Sequence, residues 1–236
     1  MFKGSVIFDF DQTLIGEEST LSVLKLAIAD KPECQKKLAS LLAPDISKSP
    51  WSPVIKAMTM QYLLWQVTRA AGKKYVRMNA VPLPEISDLL QTLEHMGVNV
   101  QVLSCGYREW VVPICAAWGI PPGNVYASSL FWWGRRALAF RPDRLSKRDG
   151  KRRIIAHWYK NGRLKNPVII VGDGKKELAA YAAGYGDAFI QANYFVNTPL
   201  FECSRPVNYV SNIADLKKIL LNLLETTGAE QDAHQR

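Results

Sequence analysis

From Pro84 onward, short apolar runs alternate with segments of helical periodicity, and this alternation constrains the fold more than any other feature. The spacing predicts helices over 84–96, 108–118, 151–160, 175–183 and 215–224. Between them fall strands over 98–103, 168–171, 188–190 and 208–210, a short extended piece starting at Val125, and a hairpin of 130–133 with 137–140 through Gly134. The N-terminal run GSVIFD, residues 4–9, adds another strand. Strands that alternate with helices form a mostly parallel sheet covered on both faces, an α/β, Rossmann-like architecture. Such sheets take their ligands beyond the carboxyl ends of the strands.

Three of these strands end in loops loaded with chemistry: Asp9-Phe10-Asp11-Gln12-Thr13, Ser104-Cys105-Gly106 and Gly172-Asp173-Gly174. In a parallel sheet those ends converge on one crevice. Asp9 and Asp11 would face opposite ways in a continued strand, so the chain must turn there if both serve one centre. Asp173 brings a third carboxylate from another strand end. Carboxylates held close need a cation or a shared proton. Oxygen donors without histidine or cysteine suit magnesium and not zinc. With Ser104 and a lysine near residue 150, the set fits phosphoryl transfer, in which cations neutralise the phosphate while a carboxylate reaches phosphorus.

Composition removes the competing chemistries. Cys34, Cys105, Cys115 and Cys203 contain no CxxC pair, and His95, His157 and His234 stand far apart. Neither a thiolate cluster nor a histidine centre is expected. The 236 residues, 48% hydrophobic and 22% charged, suit a globular protein with one domain and a large insertion. No apolar run reaches the roughly 18 residues of a membrane span, so no membrane partner is expected. The N-terminus turns acidic too soon for a secretory leader, which makes the cytoplasm the expected location. The net charge is +9, and nine Lys or Arg lie between Arg135 and Arg153 against only Asp143 and Asp149. That stretch reads as a solvated face, as attraction for an anionic substrate, or as contact with a nucleic-acid backbone.

Residues 17–80 have a different texture. Helices are expected over 18–28, 32–42 and 53–71, punctuated by Pro32, by the stretch 44–53 and by Gly72. Trp51, Met58, Met60, Tyr62 and Trp65 read mostly as the insert's own core. The division is therefore a catalytic core of 1–16 and 81–226, a helical insert of 17–80, and a disordered tail of 227–236.

The ordered set of motifs resembles the haloacid dehalogenase superfamily, and within it the phosphoserine phosphatase branch. FDFDQTL at 8–14, VLSCG at 102–106 and GDGKKE at 172–177 carry the resemblance, and the helical insert has the position and size of that branch's cap domain. The resemblance implies a magnesium-dependent phosphomonoesterase that passes through an aspartyl-phosphate, with a small phosphorylated metabolite as substrate. It makes Asp9 the nucleophile and Asp11 the acid and base. Magnesium would be held by Asp9, the Asp11 carbonyl and Asp173, with Glu177 acting directly or through water. Ser104, the Gly106 amide and a lysine would bind phosphate, and Thr13 would support the first loop. Lys147 and Lys151 both qualify; Lys151 is favoured because it precedes Asp173 by 22 residues and has Ile154 and Ile155 on its helix. Glu18, nine residues after Asp9, either reads a substrate amino group or caps a helix. Gln12 stands where the family has a small residue, and Glu177 where it commonly has Asp. Arg69 and Arg77 are the only arginines of the insert, and neither matches the family's carboxylate-binding arginine. Phosphoserine and a sugar-like phosphate are both open as substrates. Phosphotransfer to an alcohol, and a non-catalytic nucleic-acid-binding or regulatory role, are the alternatives. Oligomeric state is left open.

Overall fold

The computed structural model describes residues 3–43, 52–145, 147 and 149–234. Strand β1 (Ser5–Phe8) is followed by four helices, α1 (Ser19–Ala27), α2 (Pro32–Leu42), α3 (Ser52–Leu64) and α4 (Arg69–Met78). Then come α5 (Pro84–His95), β2 (Asn99–Tyr107), α6 (Arg108–Ala117), β3 (Val125–Trp133) and β4 (Arg136–Arg141). The chain closes with α7 (Gly150–Lys160), β5 (Val168–Gly172), α8 (Lys175–Ala182), β6 (Ala188–Ala192), β7 (Asn208–Val210) and α9 (Ile213–His234).

The seven strands form one sheet in the order β4-β3-β2-β1-β5-β6-β7, parallel except for the β3–β4 hairpin. All four residues of β1 and all five of β5 are buried, as required of strands covered on both faces. Alternation divides β1: Val6 and Phe8 join a core with α5, α6 and α9, while Ile7 joins a second core with α7 and α8. Each helix offers an apolar stripe to its core. In α5 the stripe is Ile86, Leu89, Leu90 and Leu93, behind Pro84 in the first turn. Each such buried aliphatic side chain contributes about 1.5–3 kcal/mol. The chain leaves β1 for β2 on one side and returns to β5 on the other. That reversal opens a crevice at the carboxyl end of β1.

Three expectations need correction. The helix foreseen over 53–71 is broken into α3 and α4. Thr68 caps α4, its hydroxyl accepting from the Ala71 amide at 3.1 Å, and it also forms a β-bridge with Arg136. The Ala137 amide donates to the Val67 carbonyl at 2.9 Å. The pairing with β4 therefore takes these residues out of helical geometry. Second, Met58, Tyr62 and Trp65 are exposed rather than packed inside the helical segment. Its buried side chains include Val23, Leu24, Leu38, Leu63, Leu64 and Tyr75, continuous with the α5–α6 core; Trp51 lies outside the described residues. Third, α9 continues through residues 227–234, where a disordered tail was expected. Ala, Glu and Gln are good helix formers, and no proline interrupts the run.

Candidate active site

The carboxyl ends of β1, β2 and β5 lie side by side, and the three loops that follow bring their side chains together. After Asp11, Gln12 adopts a left-handed φ of +56°. This supplies the turn that two carboxylates two residues apart require, and a side chain other than Gly or Asn takes that conformation at some cost. Asp9 Oδ1 accepts from the Phe10 amide at 2.7 Å, and Asp11 Oδ1 accepts from the Ser19 amide at 3.0 Å, from the first turn of α1. Ser19 is itself held by Trp110, whose Nε1 donates to its hydroxyl at 3.1 Å. Thr13 is buried, and its carbonyl accepts from the Tyr194 hydroxyl at 2.6 Å.

Lys151 lies on the inward stripe of α7 with Ile154, Ile155 and Trp158, so helical packing carries a charged group to the sheet. Its Nζ stands 2.7 Å from Asp9 Oδ2 and makes a second ion pair with Glu177 Oε1. Burial opposes the charge, yet the two carboxylates raise its pKa above the ordinary lysine value. Lys147 is exposed, in the turn before α7.

Glu177 folds back from the first turn of α8. A Cβ on Gly172 would lie 2.7 Å from its Cγ, and one on Gly174 would lie 2.8 Å from its Oε2, so the two glycines of GDG leave room for the longer acid. Burial, opposed by Lys151 and reinforced by Asp9, raises the pKa of Glu177. Burial, reinforced by Asp9, pushes Asp173 up to about 6. Asp11 is pushed up to about 7 by burial, against the Ser19 hydrogen bonds. Ser104 is fully buried, and its hydroxyl accepts from the Gly106 amide at 2.9 Å.

Glu18 occupies the cap position of α1 but makes no side-chain capping bond. Burial and then Asp9 raise its pKa, while Lys151 and Lys176 oppose the shift, so this carboxylate shares the field of the crevice. The sequence reading missed the partners that hold the site: Ser19, Trp110 and Tyr194. Tyr194 lies 181 residues beyond Thr13, and no local pattern announces such a contact. It also missed Lys176, whose Nζ reaches Cys105 Sγ at 3.5 Å, although the KK of GDGKKE was visible.

The residues suit a hard divalent cation. Asp9, Asp173 and Glu177 face a single buried lysine, and this surplus of negative charge adds to burial in raising the Asp173 pKa. Their donors are carboxylate and carbonyl oxygens. Among the described residues no three His, Cys, Asp or Glu side chains form a ready cage, so backbone and water would have to complete the shell.

A doubly covered, mostly parallel sheet with this acidic crevice at its switch point defines a Rossmann-like α/β core. Residues 6–179 match the family model of the haloacid dehalogenase-like hydrolases, and the chain belongs to that family. It is 25% identical over 188 residues to the chloroplastic phosphoserine phosphatase of Arabidopsis thaliana, covering 79% of this chain and 61% of that protein. It is 26% identical to the phosphoserine phosphatase of Mus musculus, covering 79% and 80%. Among solved structures, a phosphoserine phosphohydrolase-like protein from Francisella tularensis superposes with a TM-score of 0.69 at 20% identity, covering 93% of this chain and 100% of that one. A phosphoserine phosphatase solved as an analogue of its phospho-aspartyl intermediate gives 0.63 at 16% identity, covering 94% and 100%.

Proposed function

We propose that the protein is a magnesium-dependent phosphomonoesterase acting on a small phosphorylated metabolite through an aspartyl-phosphate on Asp9. The observation that carries the reading is the buried Lys151, 2.7 Å from Asp9 Oδ2 and paired with Glu177. A cation held against a carboxylate at a strand end fixes that carboxylate in place and leaves it positioned to meet a phosphate.

In this reading the ester phosphate lies between Ser104, the Gly106 amide and Lys151, which neutralise its oxygens. Asp9 attacks phosphorus in line, and the bond to the ester oxygen breaks as Asp11 gives that oxygen its proton. Asp11, now ionised, takes a proton from water, whose oxygen attacks phosphorus and releases inorganic phosphate and free Asp9. Asp9, the Asp11 carbonyl and Asp173 would hold magnesium, with Glu177 contributing through water while it orients Lys151. When bound, the ion supplies charge neutralisation for the transferring phosphoryl group. Residues 17–80 act as the cap over a core of 1–16 and 81–226, with Glu18 at its entrance.

Phosphoserine and a sugar-like phosphate are the favoured substrates. Glu18 supports the first, because a free carboxylate there suits an amino group. Against it, Arg69 is occupied, donating to the Gly134 carbonyl at 3.3 Å and lying 4.5 Å from the Trp132 ring centroid. Phosphate release from a panel of small monoesters, phosphoserine included, tests the reading. No release from any of them in the presence of magnesium would overturn it.

A further inference from the structure

The β3–β4 hairpin and the helices beside it carry nearly all of the protein's excess charge. Residues 52–84 and 110–142 contain eight Lys or Arg and no Asp or Glu. The other 22 Lys and Arg are almost matched by the 21 Asp and Glu of the whole chain. The two segments adjoin in space. The Arg69 amide donates to the Arg135 carbonyl at 3.0 Å, the Ala137 amide to Val67 at 2.9 Å, and the Gln61 side chain to the Leu138 carbonyl.

This basic surface is also apolar. At the hairpin tip the sequence is Trp-Trp-Gly-Arg-Arg, and Trp133 is 78% exposed. Alternation puts Phe131 and Trp133 on one face, and the register Ser129↔Arg141 and Trp133↔Arg136 adds two arginines to it. The Arg141 guanidinium lies 5.6 Å from the Phe131 ring centroid. Trp132 turns inward, its Nε1 donating to Glu109 at 3.2 Å, so this carboxylate lies beneath the hairpin. Leu138 on β4, Val54, Ile55 and Met58 on α3, and Trp65 just after that helix are further exposed apolar side chains, with Met58 at 69%, while Phe140, paired with Leu130, is exposed on the other face of the hairpin. On the neighbouring α2, Glu33 is paired with Lys36.

We infer that this face docks on the surface of an anionic lipid bilayer. Arginines in excess over carboxylates match acidic headgroups, each contributing about 1 kcal/mol near such a surface. Trp and Phe at a hairpin tip suit the headgroup boundary, and aliphatic side chains beside them suit acyl chains. Those aliphatics favour lipid over single-stranded nucleic acid, which would call for stacking rings alone. No helix among the described residues is long and apolar enough to span a membrane, so the contact is peripheral. Because β3 is parallel to β2 and runs on past its last partner, Tyr107↔Ser128, the hairpin tip projects from the end of the sheet that holds the acidic crevice.

The test is sedimentation of the full-length protein with vesicles of phosphatidylcholine alone or with phosphatidylglycerol, beside binding of a single-stranded oligonucleotide. The protein should partition onto the anionic vesicles only. Trp133→Ser, and Arg135→Gln combined with Arg136→Gln, should each weaken this on the order of tenfold. Lys218→Gln, an exposed site on α9, should not, and all variants should keep the wild-type melting temperature. Absence of binding to anionic vesicles overturns the inference. So does binding that ignores the hairpin variants, or binding to the oligonucleotide in place of vesicles.

Discussion

Lys151 Nζ lies 2.7 Å from Asp9 Oδ2 and ties the start of α7 to the end of β1. The lysine side chain is 2% exposed and that of Asp9 12%, so water screens the contact little. Removing the lysine strands Asp9 and Glu177 together, and truncating one member of a buried pair costs about 3–5 kcal/mol. Lys151→Ala should also lower kcat/KM on the order of 10² or more, by analogy with loss of one oxyanion contact. The exposed Lys147 should lose less than about tenfold on change to Ala, with most of that loss gone at high salt. Steady-state kinetics at two ionic strengths, with circular dichroism as a check on folding, distinguish the two. A dead Lys147 variant beside a normal Lys151 variant would reverse the assignment.

Asp9 and Asp11 should separate in a labelling experiment. Asp9→Asn should lose turnover and covalent phosphate together. Asp11→Asn keeps the shape of the side chain but not its proton transfer, so a substrate with a good leaving group should still phosphorylate Asp9 slowly. The phosphorylated peptide, trapped and sequenced, decides. Label on Asp11 or on Ser104 would exclude the proposed chemistry.

Glu18 makes no capping bond to α1, so its charge is available at the crevice. Glu18→Gln should raise KM for phosphoserine several-fold and leave KM for a monoester without an amino group nearly unchanged. The helix should be unaffected, with the melting temperature within about a degree or two, since an exposed substitution stays near ±0.5 kcal/mol. An equal change for both substrates would remove Glu18 from substrate recognition.

Much of this was legible in the sequence because it rests on short-range pattern. Asp9, Ser104 and Asp173 each follow an apolar run, and runs of that kind must be buried strands in an alternating chain. Lys151 could be chosen over Lys147 because Ile154 and Ile155 share its helical stripe. The break between α3 and α4 was not legible, since a bridge from Thr68 to Arg136, far along the chain, takes those residues out of the helix. Nor was the exposure of Met58 and Trp65, because residue type gives apolar character but not whether a neighbour covers it. The supports of the site, Tyr194 on Thr13 and Trp110 on Ser19, are long-range contacts of the same kind.

On the proposed function, the surplus of carboxylates over lysine in the crevice should make activity depend on a divalent cation. EDTA should abolish phosphate release, and magnesium should restore it better than calcium, whose larger and looser shell serves in-line geometry poorly. Undiminished turnover in a preparation shown by elemental analysis to be metal-free would rule this out.

Gly150 provides a test that the sequence alone would not suggest. It begins α7 directly before Lys151, and a Cβ there would meet the Arg144 carbonyl oxygen and lie 2.8 Å from Leu145 Cα. Both obstacles are backbone atoms of the preceding turn, so relief requires the start of the helix to move. Overpacking of that kind costs about 1–3 kcal/mol. Because Lys151 is the next residue, the displacement also disturbs its approach to Asp9. Gly150→Ala should therefore lower both the melting temperature and kcat/KM, with the loss chiefly in kcat. Gly162→Ala at the other end of α7 should separate the two effects. A Cβ there has open space around it, but the residue has a φ of +67°, so the substitution strains the backbone away from the site. It should cost stability and leave kcat nearly unchanged. If Gly150→Ala behaves like Gly162→Ala, losing stability alone, the helix start does not position the lysine.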